Sequence, residues 1–150
     1  MITAVLDTNI LASGVIAERG TLAVIIDAWR AGAFTVVISS PILLELERTL
    51  EKRYFTQRLT SSQRAGILSV LTRQSLVTPV TVAVDGIATH PEDDLIVATA
   101  LSGHADYLVT GDRKLQDIGA YAGHTIVSPR IFLDHLAKYV AEKGEISSSH

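Results

Sequence analysis

Short apolar runs alternate with helix-like segments along the chain, and this alternation is the feature that most restricts its fold. Strand-like runs occur at Ile2–Leu6, at Phe34–Ile38, and within "DYLVTGD" and "HTIVS". Between the first two, apolar residues recur at helical spacing over Thr21–Ala31, a segment that ends before Gly32. Short apolar strands joined by helices are typical of a parallel sheet covered on both faces. We therefore expect a three-layer α/β/α fold with a mainly parallel sheet and Rossmann-like topology.

Further segments complete this expected architecture. "SSP", with Pro41 in the first turn, indicates the start of a helix. Its apolar stripe is predicted to consist of Leu43, Leu46, Leu50 and Tyr54. The remaining predicted elements are a helix over 62–76, an edge strand over 80–84, a buried helix over 93–102 and a final helix that begins in "SPRIF".

Length and composition indicate one globular domain. The chain has 150 residues, of which 47% are hydrophobic and 19% charged, and it contains no cysteine. We expect a single domain over 1–140 and a flexible tail over 141–150. No signal peptide or run of roughly 20 apolar residues is recognisable, so a cytoplasmic protein without a membrane segment is expected. The net charge of −3 is weak evidence against a nucleic-acid partner, because bound divalent cations would offset it.

Acidic residues follow the strands of this expected sheet. Asp7 ends the first strand, Glu45 lies early in the helix after the second, and Asp112 follows "YLVTG". Asp93 and Asp94 open the buried helix that leads into that last strand. Each acid alone is explained by a turn, a helix cap or a solvated helix face. Together they are expected to meet, because the carboxyl ends of parallel strands lie at one edge of the sheet.

A cluster of carboxylates needs a cation to offset its repulsion. With oxygen ligands and no cysteine, Mg²⁺ or Mn²⁺ is the expected ion, and such ions serve phosphodiester cleavage. The five histidines have no spacing typical of a zinc site. Trp29 and Phe34 are predicted to fill the core. Thr8 and Asn9 are expected to form the bend that holds Asp7 at the strand end.

Four stretches resemble a known family over most of the chain, from about Met1 to Lys138. They are "VLDTNILAS", "VISSPILLELERTL", "PEDDLIVATALSGHADYLVTGDRKL" and "IVSPRIFLDHL". In the order and spacing of their acids they resemble the PIN-domain ribonucleases, close to the VapC-like toxin components of toxin–antitoxin systems. The resemblance implies a metal-dependent endoribonuclease that leaves 5′-phosphate and 3′-hydroxyl ends. It also implies a protein antitoxin and a homodimer.

The resemblance also assigns residues to the site. It implies that the metal-binding and catalytic acids are Asp7, Glu45, Asp93 and Asp112. Asp93 is chosen because it stands three residues before Ile96, and Asp94 remains an alternative ligand. His90 stands where relatives often have another acid. The implied supporting residues are Asn9, Ser39 and Thr110, the last of which would orient Asp112.

Two other functions remain open at this point. An aspartyl-phosphate phosphatase or receiver domain also carries an acid after its first strand, although such hydrolases need a second aspartate where this chain has Asn9. A degenerate module of the same family would bind RNA or protein without cutting. Arg48, Lys52, Arg113 and Lys114 are candidate phosphate contacts, and solvation at the surface explains each of them as well.

Overall fold

A six-stranded sheet forms the centre of the molecule, which is described from a computed structural model covering residues 1–90 and 93–148. The strand order is β3-β2-β1-β4-β6-β5. All neighbouring strands are parallel except β5 and β6, which are antiparallel. The expected mainly parallel α/β architecture is confirmed. The strands are β1 (Thr3–Leu6), β2 (Thr35–Ile38), β3 (Leu76–Val77), β4 (Tyr107–Val109), β5 (Ala120–Tyr121) and β6 (His124–Val127).

Helices connect the strands and supply the outer layers. One of the longer helices, α5, begins at a reciprocal capping box formed by Thr60 and Gln63. In the described chain the helices are α1 (Thr8–Ile16), α2 (Thr21–Arg30), α3 (Ser40–Leu50), α4 (Arg53–Thr56), α5 (Ser61–Gln74), α6 (Asp94–Ser102), α7 (Arg113–Ile118) and α8 (Pro129–Ser148).

The direction of strand addition reverses between β1 and β4. From β1 the chain builds outward through β2 and β3, and it then returns to the other side of β1 to place β4 and β6. Loops that follow the two central strands therefore diverge and leave a crevice at the carboxyl end of the sheet. Asp7 follows β1 and Asp112 follows β4, so the topology brings the two acids to this crevice.

The core lies between the sheet and its helices, as the apolar strands predict. Trp29 and Phe34 are 5% and 2% exposed, which confirms their predicted place in the core. The rings of Phe34 and Phe132 pack edge to face with centroids 5.0 Å apart, and thereby join the start of β2 to α8. This packing fixes the sheet on which the crevice is built.

The strand predicted over 80–84 is wrong. The third strand is Leu76–Val77, and residues 80–84 form no regular element. Thr78 still donates its N–H to the carbonyl of Ile38 at 2.8 Å, but β2 ends at Ile38, where the chain turns toward α3, and it offers no further partner for the ladder. The paired segment therefore stops after Thr78, and the apolar residues after it belong to a loop.

Three other expectations about helices need correction or extension. The bend expected at Thr8 and Asn9 is the first turn of α1. Tyr54 lies on α4, because α3 ends at Leu50, and its side chain is 54% exposed rather than part of the buried stripe. At the other end of the chain, α8 continues through 141–148. Residues 149–150 lie outside the described range, and the flexibility expected for 141–150 stays a prediction.

No single helix in the described ranges 1–90 and 93–148 has the length and apolar character needed to cross a membrane. Among the described residues, the pair α1 and α2 has that combined length and apolar character, but the two helices are bent by 89° at the break between them.

Candidate functional site

An open cleft of about 490 Å³ lies at the carboxyl ends of β1 and β4. Three of the predicted acids meet there, whereas no lysine or arginine lines it among the described residues. Its walls therefore carry a concentration of negative charge. The lining residues are Asp7, Asn9, Ile10, Ser13, Leu22, Thr89, His90, Asp93, Gly111 and Asp112.

Asp7 lies on the cleft wall and also caps α1. Its side chain is held at both oxygens: Oδ1 accepts the N–H of Asn9 at 2.7 Å, and Oδ2 accepts the hydroxyl of Thr110 at 3.0 Å. Its backbone N–H donates to the carbonyl of Val109 at 3.0 Å. Asp7 is 6% exposed, so these contacts satisfy a carboxylate that has little water around it.

Thr110 connects the two strand ends. Its buried hydroxyl donates to Asp7 and accepts the backbone N–H of Asp112 at 3.0 Å. One side chain thus fixes the carboxylate of the first acid and the backbone of the second. The family resemblance implies that Thr110 orients Asp112, and the contact in the structure is with the Asp112 backbone N–H.

The Asp112 carboxylate is held mainly by Thr89. Oδ2 accepts the Thr89 N–H at 2.9 Å, while Oδ1 accepts the Thr89 hydroxyl at 2.9 Å and the Leu115 N–H at 3.2 Å. Burial raises the pKa of this carboxyl, but the hydrogen bonds from Thr89, Leu115 and Lys114 lower it further than burial raises it. The net pKa lies below the ordinary value for aspartate, so Asp112 is ionised at neutral pH.

Asp93 and Asp94 occupy different surroundings. Asp93, the residue before α6, lines the cleft. Asp94 is 4% exposed and does not line it. The Asp94 carboxylate instead accepts the backbone N–H groups of Gly86, Ile87 and Ala88 at 2.6–3.0 Å. Of the two neighbours, Asp93 thus has the position suited to a ligand in the cleft, and Asp94 holds a loop.

Glu45 and Ser39 lie outside the cleft walls. Glu45 is a half-buried residue on α3, and α3 packs against α1. Ser39 precedes α3, and its buried hydroxyl lies 2.9 Å from that of Thr99 on α6. Ser39 therefore ties the start of the Glu45 helix to the helix that follows Asp93.

The donor chemistry of the cleft fits a hard divalent cation. Asp7, Asp93 and Asp112 offer carboxylate oxygens, which Mg²⁺ and Mn²⁺ prefer. Within residues 1–90 and 93–148, however, no three histidine, aspartate or glutamate side chains are close enough together to hold an ion jointly. The four-acid cluster expected from the sequence is therefore not assembled as a closed site, and ligation requires water molecules or side-chain movement.

Two residues of the cleft are given no role in the site by the sequence. Thr89 and His90 belong to a loop without helical or strand periodicity, and both line the cleft. The resemblance places His90 where relatives often have another acid, and the sequence says nothing of Thr89. Their positions follow from the path of the loop, which hydrogen bonds to Asp94 and Asp112 define.

Solved structures with a similar fold include chains of two complexes. A chain of VapBC2 from Rickettsia felis, crystallised bound to a DNA fragment from their promoter, matches with a TM-score of 0.59 at 18% identity. The match covers 85% of this chain and 98% of that one. A chain of FitAcB from Neisseria gonorrhoeae matches with a TM-score of 0.54 at 16% identity, over 84% and 97% of the two chains. At these identities the likeness is one of fold.

Comparison at the level of sequence gives one family. The sequence pattern described as PIN domain matches residues 3–114, well over half of the chain. This range contains β1, β4 and every acid that lines the cleft. A search among curated protein sequences found no significant match.

Proposed function

The chain belongs to the PIN-domain family, and we propose that it is a metal-dependent endoribonuclease acting in the cleft at the end of β1 and β4. The observation that carries this proposal is the meeting of Asp7, Asp93 and Asp112 in one cleft, without a lysine or arginine among its described lining residues. Carboxylates gathered in this way repel one another unless a cation joins them. The family and the charge of the cleft support the same chemistry.

Mg²⁺ or Mn²⁺ is the proposed cofactor. Asp7, Asp93 and Asp112 would hold it, with Glu45 as the fourth acid that the resemblance assigns. When bound, such an ion supplies an activated water and neutralises charge that develops on a phosphodiester. Ionised carboxylates are needed for ligation, and the lowered pKa of Asp112 keeps that group ionised at neutral pH.

The protein's own residues would prepare the site. Asn9 and Thr110 fix the Asp7 carboxylate through two hydrogen bonds, so that it has little freedom to lose when a cation binds. Asn9 is exposed on the cleft wall, where its side-chain amide would hydrogen-bond a ribose or a phosphate. Ser39 would hold α3, and with it Glu45, against α6.

The charge distribution supports an RNA substrate despite the net charge of −3. Arg113 and Lys114 directly follow Asp112, and both are exposed at the start of α7. Residues 52–84 contain no aspartate or glutamate, but they include Lys52, Arg53, Arg58, Arg64 and Arg73. The acids are therefore concentrated elsewhere in the chain, and cations are available for phosphate contacts.

We further propose a role as the toxin of a toxin–antitoxin pair, in the cytoplasm, with a protein antitoxin and a homodimeric state. The fold likeness to chains of VapBC2 and FitAcB, both toxin–antitoxin complexes, supports this context. A small neighbouring gene for a DNA-binding protein is expected. Its product, when purified with the chain, should suppress the ribonuclease activity, and light scattering of the chain alone should give the mass of a dimer. Full activity in the presence of that product, or a monomeric mass, would contradict these proposals.

The experiment that tests the enzymatic function compares two acid-to-amide variants. Purified wild-type protein, Asp93→Asn and Asp85→Asn are incubated with single-stranded RNA and Mn²⁺, with an EDTA control. Asp85 is exposed and does not line the cleft, so it serves as the matched control. We expect cleavage by the wild type and Asp85→Asn, with 5′-phosphate and 3′-hydroxyl ends, and none by Asp93→Asn. Undiminished cleavage by Asp93→Asn, or no cleavage by the wild type, would contradict the proposal.

A further inference from the structure

Residues 86–90, here called the strap, cross from the loop after β3 to the cleft and are held at their start by Asp94. Oδ2 of Asp94 accepts the N–H of Gly86 at 2.9 Å, and Oδ1 accepts those of Ile87 at 3.0 Å and Ala88 at 2.6 Å. Gly86 has φ of 74°, a conformation that glycine adopts without strain. Three successive N–H groups thus converge on one buried carboxylate.

The far end of the strap is held by Asp112. Thr89, which follows Ala88, donates both its N–H and its hydroxyl to the Asp112 carboxylate, each at 2.9 Å. Lys114, two residues after Asp112, donates from Nζ to the carbonyl of Gly86 at 3.3 Å. The carboxylates of Asp94 and Asp112 therefore bind four consecutive residues of the strap, 86–89.

These contacts fix the orientation of the Asp112 carboxylate. Oδ1 of Asp112 accepts two hydrogen bonds, from the Thr89 hydroxyl and the Leu115 N–H, and Oδ2 accepts the Thr89 N–H. The plane of the carboxylate is fixed by Thr89, which bonds to both of its oxygens.

We propose that Thr89 and Asp94 are positioning residues for the cleft: Asp94 fixes the strap, and the strap, through Thr89, orients the Asp112 carboxylate toward a divalent cation. This inference rests on the proposed function for the identity of the ion. Asp94 acts at a distance, because its own oxygens are occupied by strap amides. The end of the strap also contacts the third acid of the cleft, since the Asp93 N–H donates to the carbonyl of His90 at 2.9 Å.

Calorimetric titration with Mn²⁺ tests this inference without an activity assay. Partners that orient a ligand typically contribute about 10–100-fold to metal affinity. We expect Thr89→Val to weaken Mn²⁺ binding by at least about tenfold, Thr89→Ser to restore it, and Asp94→Asn to weaken it similarly. Thr81→Val and Asp85→Asn, exposed positions that precede the strap, should bind like the wild type. Unchanged or tighter binding by Thr89→Val would overturn the inference.

Amide hydrogen exchange on the metal-free protein provides a second readout. If Asp94 acts through the strap, Asp94→Asn speeds exchange at Gly86–Ala88 and also at Thr89, whose N–H is bonded to Asp112 rather than to Asp94. Faster exchange confined to Gly86–Ala88 would contradict the coupling.

The two proposals fail in different ways. A wild type that binds Mn²⁺ but cuts no RNA contradicts the ribonuclease and leaves the affinity comparison intact. A wild type that cuts RNA, with variants of unchanged affinity, contradicts only the positioning role. If the wild type binds no Mn²⁺, the ribonuclease proposal fails and the exchange at Thr89 decides whether the strap is coupled to Asp94.

Discussion

At each end of the β1–β4 pair, a threonine of one strand hydrogen-bonds an aspartate of the other. The threonine comes from β1 at the amino end and from the segment after β4 at the carboxyl end. At the amino end, the Thr3 hydroxyl on β1 donates to Oδ2 of Asp106, just before β4, at 3.2 Å. At the carboxyl end, the Thr110 hydroxyl after β4 donates to Oδ2 of Asp7, after β1, at 3.0 Å. Both bonds follow from the parallel register of the strands. A threonine–aspartate contact is therefore not by itself the mark of a functional site.

What differs is the surroundings of each carboxylate. Asp106 is exposed and borders a larger groove, of about 660 Å³, that is also lined by Lys138, His135 and Glu142. Asp7 is 6% exposed and shares its smaller cleft with other acids and no described lysine or arginine. Mixed charges at the amino end compensate one another, whereas the acids at the carboxyl end need an added cation. The comparison indicates that the composition of charge, rather than cavity size, distinguishes the candidate site.

The largest difference between the two ends is expected in activity. Asp7→Asn should reduce RNA cleavage by more than the roughly 10–100-fold that loss of an orienting partner costs, because a proposed ligand itself is removed. Asp106→Asn should leave the rate within about twofold of the wild type, since a part-exposed hydrogen bond far from the cleft costs mainly stability. Initial rates on a fluorescent single-stranded RNA with Mn²⁺ measure both. Equal losses would remove the distinction between the two ends.

Stability should also differ between the two threonines. Thr110→Val leaves Oδ2 of Asp7 and the N–H of Asp112 without this partner in a buried place, which should cost about 1–3 kcal/mol of unfolding free energy. Thr3→Val should cost about 1 kcal/mol or less, because water reaches Asp106. Urea unfolding followed by circular dichroism compares the two variants. A larger loss for Thr3→Val would contradict the inferred burial of the carboxyl-end contact.

A smaller difference is expected in RNA binding. Arg113 follows Asp112 at the carboxyl end, whereas Lys138 lines the groove at the amino end. If Arg113 contacts one phosphate, Arg113→Gln should lower the slope of log affinity against log salt by about 0.7 on single-stranded RNA. Lys138→Gln should leave the slope unchanged. Fluorescence anisotropy at several salt concentrations measures these slopes, with Asp7→Asn present in every protein to prevent cleavage. Equal slopes for the two variants would exclude RNA docking specific to the carboxyl end.

The smallest expected effect is on stability in acid. The pKa of Asp112 is lowered in the folded protein, so its hydrogen bonds stabilise the fold above the unfolded pKa of about 3.9. This contribution is lost as pH falls through the lower folded pKa. Asp112→Asn should therefore be less stable than the wild type at pH 6, by less than about 1 kcal/mol for a solvent-screened group, and the difference should shrink toward pH 2. Urea unfolding at the two pH values measures it, and a difference that grows in acid would contradict the direction of the pKa shift.

The sequence predicts the parallel sheet and the position of Asp7 and Asp112 well, because both depend on local apolar runs and on where they stop. Phe34–Ile38 contains β2, and the acid after each central strand follows from the strand boundary alone. The buried helix predicted over 93–102 is α6, which begins at Asp94. Periodicity and strand boundaries are properties of the chain itself, so they can be read without knowledge of tertiary contacts.

The strap and its contacts could not be predicted, because they depend on tertiary hydrogen bonds between segments distant in sequence. Thr89 and Asp112 are 23 residues apart, and no periodic pattern links them. The choice between Asp93 and Asp94 likewise needs the loop that Asp94 holds. The α1 helix is missed for another reason: Asp7 satisfies both a turn pattern and a helix cap, and the sequence cannot distinguish a bend from a first helical turn.

The central claim is that the carboxyl-end cleft, and not the amino-end groove, holds a catalytic cation. Calorimetric titration of Mn²⁺ into the wild type, Asp7→Asn and Asp106→Asn tests this most directly. We expect the wild type and Asp106→Asn to bind Mn²⁺ with the same affinity, and Asp7→Asn to show no binding in the same concentration range. Binding that survives in Asp7→Asn, or that is lost in Asp106→Asn, would contradict the account.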